Sequence, residues 1–403
     1  MERFSIPTLG LVLLVACLVA ILCRRLRAPY SVGLVLAGIA LAISPVGVEL
    51  PLGPELIFSV FLPPLVFEAA VQLRWRQFSR ELPATTLLAF PGVVVAAAVV
   101  AAGMHLLLGW SWIGAGLFGV LIAATDPVSV IAAFKEMRVE RRLRIVVESE
   151  SLLNDGAAAV GFSVLLAVAA GSAGGALAIG GALVWTIAGG VFAGAATAGA
   201  LLLIAGRTDD HLVEITLTTI AAYGSFLLAE RLHASGVLAS LSAGLVIGNL
   251  GWRGPISAAG RGHVLAFWEY AAFLANSVVF ILIGSHEAHQ PFSLVSAAAA
   301  AAVVLVLLGR AAAVYGLGAL LAPTALRLPM KMQHVLFWGG LRGALALALA
   351  LALPPTVAER QEIIIVAFAV VAFSIFVQGL TMPWLIRRLG LNADAAPPDP
   401  TAI

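Results

Sequence analysis

Long apolar runs separated by short polar turns recur over almost the whole chain. A run of about 20 mostly apolar residues is long enough to cross the hydrocarbon core of a bilayer as a helix, whereas strands of that length would leave an unpaired edge in lipid. Thirteen such runs are predicted, at about 6–23, 30–44, 54–72, 83–108, 112–134, 145–170, 178–205, 211–230, 235–250, 263–285, 292–321, 331–353 and 361–385. In the fifth, Thr125, Asp126 and Pro127 interrupt the apolar pattern; in the twelfth, the GGLRG stretch from Gly339 to Gly343 does so. Proline removes a backbone donor and closely spaced glycines weaken a helix, so both runs are predicted to open their backbone at mid-membrane.

The basic residues support this threading. If the first run passes from outside to inside, 18 of the 23 Lys and Arg residues fall in cytoplasmic turns. Only Arg3, Arg231 and Arg360 fall outside, while Arg310 and Arg342 lie within runs. That is the bias that orients membrane proteins, and it puts the N-terminus outside and the C-terminus in the cytoplasm. The first run lacks the features of a cleaved signal and is read as a retained helix. Residues 389–403 are read as a short cytoplasmic tail.

Composition agrees. The chain is 61% hydrophobic and 11% charged, with two cysteines, Cys17 and Cys23. Soluble domains carry about 25% charged residues, so a nucleic-acid binder, a disulfide-built secreted scaffold and an ordinary cytosolic enzyme are set aside. The expectation is an all-α polytopic membrane protein of one domain. Its thirteen helices divide six, one and six, which makes the halves inverted copies with helices five and twelve in matching, broken positions. That arrangement points to an ion site at the midplane.

Charged side chains inside spans are costly and default to function. Glu68 lies in FLPPLVFEAA, Asp126 in the fifth helix, and Glu150 and Asp155 in ESESLLNDGAAAV; Glu269 is a further, less central carboxylate. Ser151 and Asp155, four apart, share one helix face and offer hard oxygen ligands to a small cation; Glu150 and Asn154 stack on another. Arg342 is expected to be the counter-charge of Glu150. Arg310 is read as a structural or snorkelling arginine. His286 and His289, flanking Glu287, are read as a solvated outside loop, since HEAH lacks the four-residue spacing of a zinc-binding helix.

FLPPLVFEAA, AATDPVSV, ESLLNDGAA and WGGLRGALALALAL occur here in the order, and with roughly the separations, found in NhaP-type sodium/proton antiporters. The chain resembles that family of the cation/proton antiporter superfamily, related to the animal Na+/H+ exchangers, over about residues 5 to 388. The resemblance implies a core of helices four to six and eleven to thirteen, about 83–170 and 292–385. This core would move against a dimer-forming interface part of helices one to three and seven to ten, about 6–72 and 178–285. It implies a cation and proton site of Asp155, Asp126, Ser151, Thr125 and Glu68, with Thr125 acting through its backbone carbonyl. Asn154, Glu150 and Arg342 would support that site, Asn154 as a bridge between crossing helices and the other two as a buried ion pair. The long regulatory tail of many relatives is missing.

The activity implied is Na+ (or Li+)/H+ antiport by alternating access, with no cofactor and with the transported Na+ itself as the only metal. Partners are monovalent cations, protons, membrane lipid and a second copy of the chain, with no nucleic acid, and the location is the inner (plasma) membrane. Electrogenic relatives carry two adjacent aspartates and an intramembrane lysine, whereas Asn154 precedes Asp155 here. Arg342 does not release its proton at accessible pH, so electroneutral one-for-one exchange is expected. A K+/H+ antiporter remains the nearest alternative. An intramembrane aspartyl protease using Asp126 and Asp155, and a channel with an acidic ring, are more distant.

Overall fold

The computed structural model describes residues 6–26, 29–44, 53–126, 128–171, 175–206, 208–288, 290 and 296–391. Among these residues there is no β-strand, and helices occupy every predicted span. In chain order they are α1 Ile6–Leu26, α2 Tyr30–Ile43, α3 Ile57–Gln72, α4 Trp75–Leu108, α5a Trp112–Leu121 and α5b Val128–Met137. Then follow α6 Arg141–Ala169, α7 Ala176–Ala205, α8 His211–Arg231, α9 Gly236–Leu250 and α10 Ala258–Glu287. The chain continues through α11 Ser296–Leu321, α12a Met330–Trp338, α12b Ala344–Leu351 and α13 Arg360–Leu389. Among the described residues seven helices are long and apolar enough to cross a membrane unaided. The tail from residue 392 lies outside the described residues.

The inverted repeat is visible in the packing. Shifting helix numbers by seven turns the α2–α10 contact into the α9–α3 contact, and the α1–α2 contact into the α8–α9 contact; all four are present. α4 and α11, the matching members of the two halves, lie against each other. Small residues permit these approaches, because lipid tails offer no hydrophobic incentive for helices to associate and close backbone packing supplies it instead. A β-carbon on Gly309 would sit 2.8 Å from the Ala96 carbonyl oxygen of α4. One on Gly284 of α10 would collide with the Val35 carbonyl of α2, and one on Gly248 of α9 with the Val71 carbonyl of α3.

Both predicted breaks are present. Residues 122–126 lie outside the helices between α5a and α5b, and residues 339–343 separate α12a from α12b. α5a starts on a side-chain cap, with Ser111 Oγ accepting from the Gly114 amide at 3.0 Å. α13 contains a π-helical stretch, Ser374–Gly379, placed where it faces the break in α12. Such stretches expose side chains that a regular turn would direct elsewhere, and they concentrate at functional places.

One expectation fails at the end of α10. The helix extends through His286 and Glu287, and the Glu287 side chain is buried rather than solvated. His289 lies outside the described residues.

Candidate functional site

A broken helix in lipid leaves backbone groups that water cannot satisfy, so the breaks must find partners in the protein. The two breaks hold each other: the Asp126 amide donates to the Leu341 carbonyl at 2.8 Å. Arg342 extends from the second break to the first and donates from Nη1 to the Ala123 and Ala124 carbonyls at 2.7 and 3.0 Å. These are the oxygens that follow the end of α5a, where the helix dipole is negative. The end of α12a is treated in the same way by a different arginine. Arg310 of α11 donates to the Leu336 carbonyl from Nε at 3.2 Å and from Nη2 at 2.9 Å.

The π-helical stretch of α13 completes the second break. Ser374 Oγ accepts from the Arg342 amide at 3.0 Å and lies 3.1 Å from the Arg342 carbonyl. Gln378 Nε2 donates to the Trp338 carbonyl at 3.1 Å. The glycines of GGLRG allow these contacts. A β-carbon at Gly340 would lie 2.7 Å from Arg310 Nε, and one at Gly343 would overlap the Asp126 carboxylate.

The structure corrects one pairing. Glu150 is held by Arg310, not by Arg342: Nη1 to Oε1 is 2.7 Å and Nη2 to Oε2 is 3.0 Å, with both side chains buried. The two-pronged geometry suits a guanidinium and a carboxylate. Arg342 instead caps α5a through Nη1. Arg310 was readable as an arginine in the middle of an apolar run, which in lipid requires a partner. The sequence could not say which of two such arginines reaches Glu150, since that depends on how α11 and α12a cross α6.

The predicted ligands divide into two shells. Asp155, Asp126, Thr125 and Glu68 line one cavity of about 290 Å³. Ser151 lies behind it: its Oγ donates to the Thr125 carbonyl and is 3.2 Å from Thr125 Oγ1. Asn154 is buried and donates from Nδ2 to Glu150 Oε1 at 3.3 Å, so it joins the Arg310 pair to the turn that carries Asp155. Glu68 accepts a hydrogen bond from Gln72 Nε2 one turn further along α3.

Asp126 also lies just ahead of α5b and beside the first residues of α12b, where two half-helix N-termini meet. Unpaired amides at such ends favour a carboxylate or an oxygen-bound ion complex. The opposite wall of the cavity comes from α2, α3 and α10, with Tyr30, Glu68, Glu269 and Asn276 among its lining. A second cavity of about 420 Å³, among Arg74, Arg141, Arg144 and Arg261, adjoins the first and shares Gln72, Arg144, Glu148 and Glu269 with it. The site therefore lies next to the arginine-bearing face of the molecule.

Known proteins resemble the chain over most of its length. The profile of the family "Sodium/hydrogen exchanger, transmembrane" matches residues 12–388. The Na(+)/H(+) antiporter ApNhaP of Aphanothece halophytica is 38% identical over 370 residues, covering 91% of this chain and 71% of its own length. The Na(+)/H(+) antiporter NhaH of Halobacillus aidingensis is 32% identical over 409 residues, covering 94% and 97%. The solved structure of the sodium proton antiporter MjNhaP1 from Methanocaldococcus jannaschii has the same fold, with a TM-score of 0.76 at 20% identity over 95% of this chain and 98% of that one.

Two stability experiments test the site's framework. Arg310→Ala leaves Glu150 buried without its counter-charge and should cost about 3–5 kcal/mol in detergent unfolding. The double variant Glu150→Leu with Arg310→Met should recover part of this but not all, because the Leu336 carbonyl still lacks its donor. A double variant no better than Arg310→Ala alone would contradict the pairing. Gly343→Ala forces a methyl group against Asp126 and should cost about 1–3 kcal/mol, while Gly316→Ala, where the added methyl meets nothing within 4 Å, should melt like the parent.

Proposed function

The chain belongs to the sodium/hydrogen exchanger family of membrane transporters, and we propose that it exchanges one Na+ (or Li+) for one proton by alternating access around Asp155. The observation that carries this reading is the sharing of one cavity by Asp155, Asp126, Thr125 and Glu68 at the crossing of two broken helices. A small cation is bound by the carboxylates of Asp155 and Asp126, with Glu68 on the facing wall and oxygens of Thr125 and Ser151 completing the set. When Asp155 takes a proton the cation leaves. The empty, charged form does not cross, because an uncompensated carboxylate in a water-poor interior is costly.

The moving part is α4 to α6 with α11 to α13, about 83–170 and 292–385, and the static part is α1 to α3 with α7 to α10, about 6–72 and 178–285. In support, Asp155 and Asp126 project from the first group, while Glu68, Glu269 and Asn276 face them from the second. Sliding one group past the other would therefore close the present cavity and open one on the far side. The static part forms the contact of a homodimer. The arginine-bearing face is cytoplasmic by its charge, so the arrangement here faces inward, with the N-terminus outside and the C-terminus inside. The membrane is the cell's inner (plasma) membrane.

Exchange is electroneutral on this reading. Carrying one net charge would add about 2.3 kcal/mol per 100 mV of membrane potential. Asn154 replaces a second acidic group, and both intramembrane arginines are committed to carbonyls and to Glu150, so Asp155 is the single group that trades a proton for a cation.

Two transport measurements test this reading in proteoliposomes. Asp155→Asn should insert and fold but lose pH-dye responses to added Na+ and Li+; normal exchange by a folded Asp155→Asn protein would remove the central assignment, and a larger response to K+ than to Na+ would change the ion. In the parent protein, clamping the potential with K+ and valinomycin should leave the Na+-driven rate unchanged. If proton and Na+ share Asp155, acidification must raise the half-saturating Na+ concentration, approaching tenfold per pH unit on the acid limb, and the optimum must move to lower pH as Na+ is raised. An optimum indifferent to Na+ would require a proton sensor apart from the transport site.

A further inference from the structure

The second cavity, at the mouth of the ion path, has a composition that cation access does not explain. It has about 420 Å³ of space, and four guanidinium side chains line it: Arg74, Arg141, Arg144 and Arg261. Arg144 is paired with Glu148 at 2.7 Å. Among the described residues Arg74, Arg141 and Arg261 make no ion pair, although Arg142, next to Arg141, takes Glu81 at 2.9 Å. Glu269 is the one remaining carboxylate in the lining, at the end shared with the ion cavity. The mouth thus carries an excess of two positive charges in front of a path for cations.

A preference for positive charge on the cytoplasmic side accounts for arginines at helix ends, but not for their convergence. These four come from three separate places in the chain: the α3–α4 turn, the first turn of α6 and the first turn of α10. Two features fix an anion-binding character. Arg74 is the N-terminal cap of α4 and Arg141 opens α6, so two positive helix ends meet at the cavity. The Arg261 guanidinium lies over the Trp252 ring, 5.4 Å from its centroid, a contact that restrains it at the cavity wall.

We propose that this cavity binds a phosphate-bearing anion that holds the transporter in its inward-facing arrangement. The proposal rests on the moving and static groups assigned above. Arg141 and Arg144 belong to α6, the helix that carries Asp155, whereas Trp252 of the α9–α10 connection and Arg261 of the first turn of α10 belong to the static part. A tetrahedral oxyanion bonded to both sets spans the boundary that has to slide in each cycle. It would act as a brake on turnover without occupying the cation site. The phosphate could be that of an anionic phospholipid headgroup in the inner leaflet or that of a soluble phosphate.

The test reads binding separately from transport. The purified full chain is melted in detergent with inorganic phosphate against chloride at constant ionic strength, and exchange is measured in phosphatidylcholine vesicles with phosphate inside or outside, and in vesicles containing phosphatidylglycerol without phosphate. Phosphate should raise the melting temperature of the parent and slow exchange from the cytoplasmic side only. Arg261→Gln and Arg141→Gln should each weaken both effects roughly threefold to tenfold, the range expected for one solvent-exposed charge-assisted contact. Slowing by phosphatidylglycerol that phosphate does not increase, lost in the same variants, assigns the headgroup as occupant; slowing by phosphate alone assigns the soluble ion. A parent protein that neither phosphate nor phosphatidylglycerol stabilises or slows, or variants that respond as the parent does, would overturn the proposal. Stabilisation by phosphate in a protein that moves no Na+ would keep the anion site and discard the transport reading instead.

Discussion

The structure depends on what happens to backbone carbonyls where a helix stops inside a membrane. Each unpaired group there costs several kcal/mol, and no water is at hand. Two helices stop, and each end receives an arginine: Arg342 at the end of α5a and Arg310 at the end of α12a. A guanidinium suits this position because its donors diverge in a fixed plane and it stays protonated. Arg310 illustrates the point by holding the Leu336 carbonyl and both oxygens of Glu150 at once. Lysine could supply the charge but not that geometry.

Because the C-terminal ends are neutralised by arginines, the N-terminal ends of α5b and α12b are left as the active poles of the crossing. Asp126 lies between them. Asp155, on the uninterrupted α6, reaches the same cavity from the side. The Asn154–Glu150–Arg310 chain ties that turn of α6 to α11 and α12a. The residues that face the cavity are thus held by a second set that never touches it, and rigidity in the second set positions the first.

Much of this was legible in the sequence, for identifiable reasons. The spans followed from the length of the apolar runs, and the two breaks from TDP and GGLRG, because proline and glycine act through the local backbone. Asp155 and Ser151 were assigned to one side of α6 by helical spacing alone. The structure brings Asp155 into the cavity and leaves Ser151 just behind it, bonded to the Thr125 backbone. The identity of Glu150's partner was not legible. Two arginines lay at membrane depth, and choosing between them required the relative placement of three helices distant in the chain. Ser374 and Gln378 were equally hidden, since their use depends on a π-helical stretch in α13 that has no local sequence signature. Glu287 looked like part of a polar loop because HEAH is polar, yet α10 continues through it and packing buries the carboxylate.

The same charges bear on the proposed stoichiometry. Within the group of helices taken to move, Arg310 cancels Glu150, Arg342 caps the end of α5a, and Asp126 and Asp155 line the cavity together. On the proposed reading a proton and a monovalent cation each add the same single positive charge at Asp155, so the two loaded forms carry equal charge and the empty form carries one less. Glu68 does not enter this balance, because it belongs to α3 in the part taken to be static. On the proposed mechanism it would assist binding on the inward side and be left behind when the moving group slides. A site whose empty form leaves a buried carboxylate uncompensated crosses a low-dielectric barrier readily in its two loaded forms and poorly when empty, which is the condition for obligatory exchange. Coupling, on this account, arises from the cost of an uncompensated Asp155, since Arg310 is already committed to Glu150 and Arg342 to the end of α5a.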